Sequence, residues 1–259
     1  MKSFFWQTIG SGSKNIIFLH GWGFNAQIWS GIIPYYSDNF KLHIVDLPGY
    51  GKNRNFFKYS LKDIIDIISY HSPNQSILIG WSLGGLIATK AIIQNPEKFH
   101  GLIVICSSPC FCEKKSWPGI KIKILNNFAL QLKDNFKNTM NRFFSIQLLG
   151  AKKQIRNIRK LKDNFFDQPE PSFRTLISGL KILKNTDLRY SLKHLKIPIL
   201  KIYGSLDVLI PKKSIPIIKK LYQTNNFDFI IPEASHAPFI SHPKLFFQII
   251  KKFLKNINF

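Results

Sequence analysis

At 259 residues with 45% hydrophobic content, the chain can bury one sizeable core, and a single α/β domain with an insertion fits that length better than two independent domains. Its 37 Lys and Arg against 14 Asp and Glu give a net charge of +23, a field that favours nucleic acid, an anionic membrane or an acidic protein. No run of about 18 apolar residues is present to span a membrane, no RNA-binding aromatic motif, zinc finger or basic zipper accompanies the charge, and lysine is spread throughout with Asn, Ile and Phe, as biased codon usage feeding solvated lysines would give.

The opening MKSFFWQTIG has one basic residue, no long apolar stretch and no small-residue cleavage site, so no signal peptide is read and a start at or near Met1 in the cytoplasm is expected. Short apolar runs then alternate with longer helical stretches, the pattern of a mostly parallel sheet with helices on both faces. The first strand is Asn15 to Leu19, and it ends in His20-Gly21-Trp22-Gly23. Leu42 to Val45 and Ser76 to Ile79 are the next two, and the latter runs into Gly80-Trp81-Ser82-Leu83-Gly84 and a helix-like LIATKAII. Leu102 to Ile105 follows. Just beyond it stand Cys106, Cys110 and Cys112, an odd and crowded set that makes a poor disulfide framework and lacks a zinc spacing. Reduced thiols are the reading, with Cys106 a buried small hydrophobe.

From about Phe111 to Thr186 the rhythm breaks. No strand is evident, and Ile124, Phe128, Leu132 and Phe136 recur at helical spacing. This predicts a helical cap over 111–186 inserted into a core of 1–110 and 187–259, although helices packed elsewhere on the sheet would give the same pattern. Strands resume at Ile199 to Ile202 and Phe227 to Ile231, and each ends in a loop that carries a polar residue: Asp207 after the first, His236 after the second.

Chemistry enters at Ser82. A serine between a strand and a helix, with glycines two before and two after, sits on a strained turn that exposes its hydroxyl at the carboxyl edge of a sheet, above a helix N-terminus that favours developing negative charge. Serine is a weak nucleophile at neutral pH and needs a base held by an acid. Asp207 and His236 supply them in the order serine, acid, histidine. Among the other histidines, His20, His43, His71, His100 and His194 fit that order less well, and His242 lies further into the following helix. The backbone amides of Trp22 and Leu83 are the candidate oxyanion donors, since both flank the predicted site without bringing a charge. No metal or organic cofactor is called for.

HGWGFNAQIW, DLPGYGKN, GWSLGG, YGSLDVLIP and ASHAPFISHP resemble the α/β-hydrolase superfamily over nearly the whole chain. Trp81, the SSPCF…WPGI segment and APFISHP narrow the likeness to the esterases that act on pimeloyl-carrier-protein methyl esters in biotin synthesis. That resemblance implies a triad of Ser82, Asp207 and His236, and acyl-chain contacts from Trp22, Ser82, Leu83, Phe143, Phe144, Ser145, Ile146, Gln147 and His236. It also implies docking of an acidic acyl carrier protein by Arg142, Arg156 and Arg159 of the cap. No nucleic-acid or membrane partner is expected, and the chain is expected to be a monomer. Lys137 and Asn138 stand where that family tends to be basic, so the docking charge is expected to be redistributed. A general short-chain carboxylesterase or a carbon–carbon bond hydrolase of the same fold shares the triad and stays open. Dehalogenases and epoxide hydrolases place an acidic nucleophile at the position of Ser82 and fit less well.

Overall fold

The computed structural model describes residues 4–56, 59–147, 170–222 and 226–259. Seven strands, β1 (Trp6–Ile9), β2 (Lys14–Leu19), β3 (Phe40–Val45), β4 (Ser76–Trp81), β5 (Phe99–Ile105), β6 (Ile199–Gly204) and β7 (Asn226–Ile231), form one sheet in the order β1-β3-β2-β4-β5-β6-β7. Only β1 runs antiparallel to its neighbour. Every residue of β4 and β6 is buried, which is why both read as mostly apolar runs instead of alternating ones; the exception, Lys201 in β6, is buried and paired with Asp228 at 3.3 Å. β1 has no such run. It is a half-exposed edge strand, WQTI, and its weak pattern hid it from the sequence reading.

Helices cover both faces: α1 (Ile33–Tyr36), α2 (Leu61–His71), α3 (Leu83–Gln94), α4 (Ile122–Asp134), α5 (Phe136–Gln147), α6 (Phe173–Asn185), α7 (Ile215–Leu221), α8 (Pro238–Ser241) and α9 (Pro243–Asn256). A capping box starts α2: the Ser60 hydroxyl accepts from the Asp63 N–H, and the Asp63 carboxylate accepts from the Ser60 N–H at 2.6 Å. α3 is apolar on nearly all sides because the sheet covers one flank and α2 another. The core has two parts, one on each face of the sheet. α3 and the helices between β5 and β6 pack on one face, and α9 packs on the other.

α4, α5 and α6 lie between β5 and β6, while residues 111–121, at the start of the region read as helical, form loop and isolated bridges (Cys112 to Ile120, Lys114 to Trp117). The predicted run from Ile124 to Phe136 is not one helix face. Asn135 breaks it with extended backbone (φ −150°, ψ 80°), and Leu125 faces inward while Ile124 is exposed. The Asn135 carboxamide oxygen then accepts from the Asn138 N–H, which helps to start α5.

Strand order reverses between β2 and β4. β2 continues to β3 on one side, and the chain then crosses to β4 on the other. Open α/β sheets place their sites outside the carboxyl ends of the strands at such a point. The Trp22 loop leaves β2 and Ser82 leaves β4, adjacent strands with Leu19 paired to Gly80.

Candidate active site

Ser82 has φ 54° and ψ −116°, a conformation L-residues rarely adopt. Its neighbours make that turn possible. A Cβ on Gly80 would collide with the Gly84 carbonyl, and one on Gly84 would collide with the Leu19 carbonyl. The turn is tied down on both sides: the Ser82 N–H donates to the Ile105 carbonyl at 2.9 Å, and the Ser107 hydroxyl donates to the Ser82 carbonyl at 2.8 Å. Ser107 carries no sequence signal beyond its place after a strand.

Asp207 and His236 meet as their order requires. The His236 Nδ1–H donates to Asp207 Oδ2 at 2.8 Å, and both side chains are almost wholly buried. Asp207 Oδ1 accepts from the N–H groups of Leu209 (2.8 Å) and Ile210 (3.1 Å), so both carboxylate oxygens are held before any substrate arrives. That bond leaves Nε2 as the basic nitrogen, and it has no hydrogen-bond partner among the described residues. Ser82 Oγ therefore does not yet donate to it, a loose arrangement common before a Michaelis complex tightens the site.

The loop carrying His236 is braced from three directions. The Trp81 indole donates to the His236 carbonyl at 2.7 Å. The Leu206 N–H donates to the Ala234 carbonyl at 2.8 Å, binding the histidine loop to the acid loop. From α5, the Gln147 carbonyl accepts from the Ala237 N–H at 3.1 Å, and the Ile146 carbonyl accepts from the Ser235 hydroxyl at 3.0 Å. Cys106, fully buried as read, has its Sγ within 4.8 Å of donor atoms of Asp207 and His236. Among the described residues this is the one group of three with metal-ligand types close together. The carboxylate and imidazole are engaged with each other, and burial followed by the Asp207 charge pushes the thiol well up, so it stays protonated.

The loop that leaves β2, where the candidate oxyanion donor Trp22 lies, is built on His20. Its Nδ1–H donates to the Gly21 carbonyl at 2.8 Å and its Nε2 accepts from the Leu47 N–H at 3.0 Å, which fixes the neutral tautomer and pins the β2 exit to the β3 exit. Burial lowers the pKa of this imidazole, against the opposing charge of Asp46. Asp46 in turn accepts from the N–H groups of Ala26 (2.7 Å) and Lys52 (2.9 Å). The sequence reading set His20 aside and made no call on Asp46, and the work of both is positional. No described residue accepts a hydrogen bond from the N–H of Trp22 or of Leu83. These are free donors of the kind an oxyanion needs, and Leu83 opens α3, where such donors are unsatisfied by construction.

The Trp22 side chain points into the helices between β5 and β6. Its Nε1 donates to the Leu176 carbonyl at 2.8 Å, and its ring packs edge-on against Phe128 (5.4 Å) and Phe143 (5.2 Å). Phe144 is buried beside Phe24. Gln147 is buried with its Oε1 lacking a partner among the described residues, while its amide nitrogen donates to the Phe143 carbonyl at 3.2 Å. Ser145 and Ile146 lie on the outer side of α5, the Ser145 hydroxyl donating to the Asn141 carbonyl at 2.9 Å. Arg142 is exposed on the same helix, and Arg156 and Arg159 lie outside the described residues.

Residues 14–243 match the family described as alpha/beta hydrolase fold. A pimeloyl-[acyl-carrier protein] methyl ester esterase of Wigglesworthia glossinidia brevipalpis is 62% identical over 259 residues, 100% of each chain. The protein of that name in Edwardsiella ictaluri is 43% identical over 98% of each chain. Among solved structures, an esterase from Exiguobacterium antarcticum superposes with TM-score 0.87 at 19% identity, covering 97% of this chain and 95% of that one. A bromoperoxidase from Bacillus anthracis gives 0.83 at 17%, covering 96% and 94%. Likeness at that distance speaks to the fold alone.

Proposed function

The chain belongs to the α/β-hydrolase fold family, and from that premise we propose that it hydrolyses the methyl ester of pimeloyl-acyl carrier protein to the free carboxylate and methanol. The observation that carries the chemistry is the pairing of His236 Nδ1 with Asp207 Oδ2 at 2.8 Å behind a serine on a strained turn. Full-length identity to esterases of that name carries the substrate.

In this reading the substrate's ester carbonyl sits against the Trp22 and Leu83 amides, and Ser82 Oγ attacks its carbon. His236 Nε2 takes the hydroxyl proton, and Asp207 stabilises the imidazolium through Nδ1. The tetrahedral intermediate collapses as His236 returns that proton to the departing methoxide. Water, deprotonated by the same nitrogen, then cleaves the acyl-enzyme and regenerates Ser82. No step calls for a metal or an organic cofactor. Each oxyanion donor is worth about 100- to 1,000-fold in turnover.

Residues 111–186 act as the cap. Trp22, Phe143 and Phe144 supply apolar wall for the seven-carbon chain, and the Gln147 amide supplies a polar contact. Ser145 and Ile146 belong to the acyl-binding run through backbone position, their side chains being on its outer side. Arg142, with Arg156 and Arg159, meets an acidic carrier. No described helix is long and apolar enough to cross a membrane, and the reading is of a cytoplasmic monomer.

Growth tests the proposal. The gene should restore a biotin auxotroph that lacks its own pimeloyl-carrier methyl esterase, and the Ser82→Ala gene should not. Failure of the wild-type gene, with the protein present and active on a small ester, would remove the pimeloyl substrate and leave a general carboxylesterase.

A further inference from the structure

Both ends of the inserted segment meet at one seam. Cys110 bridges to Asp187, and the Leu188 N–H donates to the Pro109 carbonyl at 2.8 Å. Across that seam, and over α7, lies a groove of about 650 Å³. Its walls carry four cations, Lys115, Arg189, Lys193 and Lys220, and two aromatic rings, Trp117 and Tyr190.

The charges in it are not evenly matched. Of the described residues lining the groove one is acidic, Asp187, and Arg189 already grips it with bonds of 2.9 and 2.7 Å. Lys115, Lys193 and Lys220 form no ion pair with any described residue. Two of the cationic groups are held in place by rings: Arg189 lies 5.0 Å from the centroid of Trp117, and Lys193 lies 4.0 Å from that of Tyr190. Trp117 is itself fixed, its indole donating to the Cys110 carbonyl at 2.8 Å. Tyr190 is 77% exposed, an aromatic ring left at the surface of a positive concavity. Like charges gathered in a recess repel one another, and low-dielectric walls focus their field outward. An anionic surface relieves both.

We propose that this groove is a docking contact for an acidic surface of the acyl carrier protein, separate from Arg142 on α5. The inference rests on the carrier-linked substrate proposed above: an ester borne by a protein requires that protein to rest somewhere on the enzyme. The carrier's acidic side chains meet Lys115, Lys193 and Lys220, and an apolar side chain beside them packs on Tyr190. The chain's overall charge of +23 attracts any acidic protein from a distance, whereas the groove fixes where it settles.

The test separates place from total charge. One variant carries Lys115→Glu, Lys193→Glu and Lys220→Glu. A second carries Lys251→Glu, Lys252→Glu and Lys255→Glu on α9, which packs on the opposite face of the sheet and changes net charge equally. Both are assayed at low salt on the pimeloyl-carrier methyl ester and on a small free methyl ester. The groove variant should raise KM for the carrier substrate about tenfold or more with kcat and small-ester turnover intact, and the α9 variant should change that KM by less than about threefold. Equal effects from the two variants, or none from the groove variant, overturn the proposal. Should the groove variant lose small-ester turnover, the same three positions changed to Gln decide the matter, with a KM rise of about threefold expected and an unchanged KM overturning it. A wild-type enzyme that cleaves the small ester but not the carrier ester overturns the substrate reading, and this inference with it.

Discussion

Replacing Ser82 with glycine is expected to yield a dead enzyme that is more stable than the dead Ser82→Ala variant. At φ 54° and ψ −116° the serine backbone stores strain, for which about 1–3 kcal/mol is typical. Alanine keeps the Cβ and hence the strain. Glycine releases it but makes the unfolded chain more flexible, at a cost of about 0.5–1 kcal/mol. The balance favours glycine over alanine by about 1 kcal/mol, and for a chain of this size that is a rise of roughly 2–4 °C in melting temperature. Removal of the hydroxyl contributes little to either variant, because His236 Nε2 receives no hydrogen bond from it. Thermal unfolding of both variants by circular dichroism at one pH reads the difference directly. A glycine variant melting at or below the alanine variant would refute the claim that the turn is strained.

Asp207→Asn should lower kcat by about 10³- to 10⁴-fold with little change in KM, since an amide facing Nδ1 favours the wrong imidazole tautomer; steady-state rates on a p-nitrophenyl ester check it. Gly84→Ala should destabilise by about 1–3 kcal/mol in urea unfolding, because the new methyl runs into the Leu19 and His20 carbonyls. Stability should also fall on acidification. Burial, aided by Lys41, holds the folded-state pKa of His43 down to about 4 against 6.5 unfolded, so between those values the unfolded chain binds the extra proton and stability is lost as pH falls. From pH 7 to pH 5 this amounts to about 2 kcal/mol, and His20, lowered by its own burial, acts in the same direction. Urea midpoints at the two pH values, with His43→Gln showing a smaller difference than wild type, provide the check.

Much of this molecule is legible in its sequence for a physical reason. Strands buried on both faces must be mostly apolar, so β2 to β6 announce themselves even with His43 in β3 and Lys201 in β6, and the polar residue after each strand end is conspicuous against them. Gly80 and Gly84 around Ser82 are equally readable, since close backbone approach leaves no other choice. What escaped depends on contacts between distant segments. β1 is recognisable only through its partner β3, and the break at Asn135 only through how α4 and α5 pack. His20 and Asp46 act through backbone N–H groups far along the chain, so no local pattern marks them as props of the Trp22 loop. Ser235 is the same kind of case: its neighbour His236 is plain in the sequence, while its hydroxyl's bond to the Ile146 carbonyl joins residues 89 apart.

Intact-mass analysis of the carrier tests the central claim most directly. After incubation with the wild-type enzyme, pimeloyl-acyl carrier protein methyl ester should lose the mass of one CH₂ with its thioester intact, and it should be unchanged after incubation with Ser82→Ala. A carrier stripped of its whole acyl chain would mean attack at the thioester, and would contradict an esterase acting at the far end of the chain.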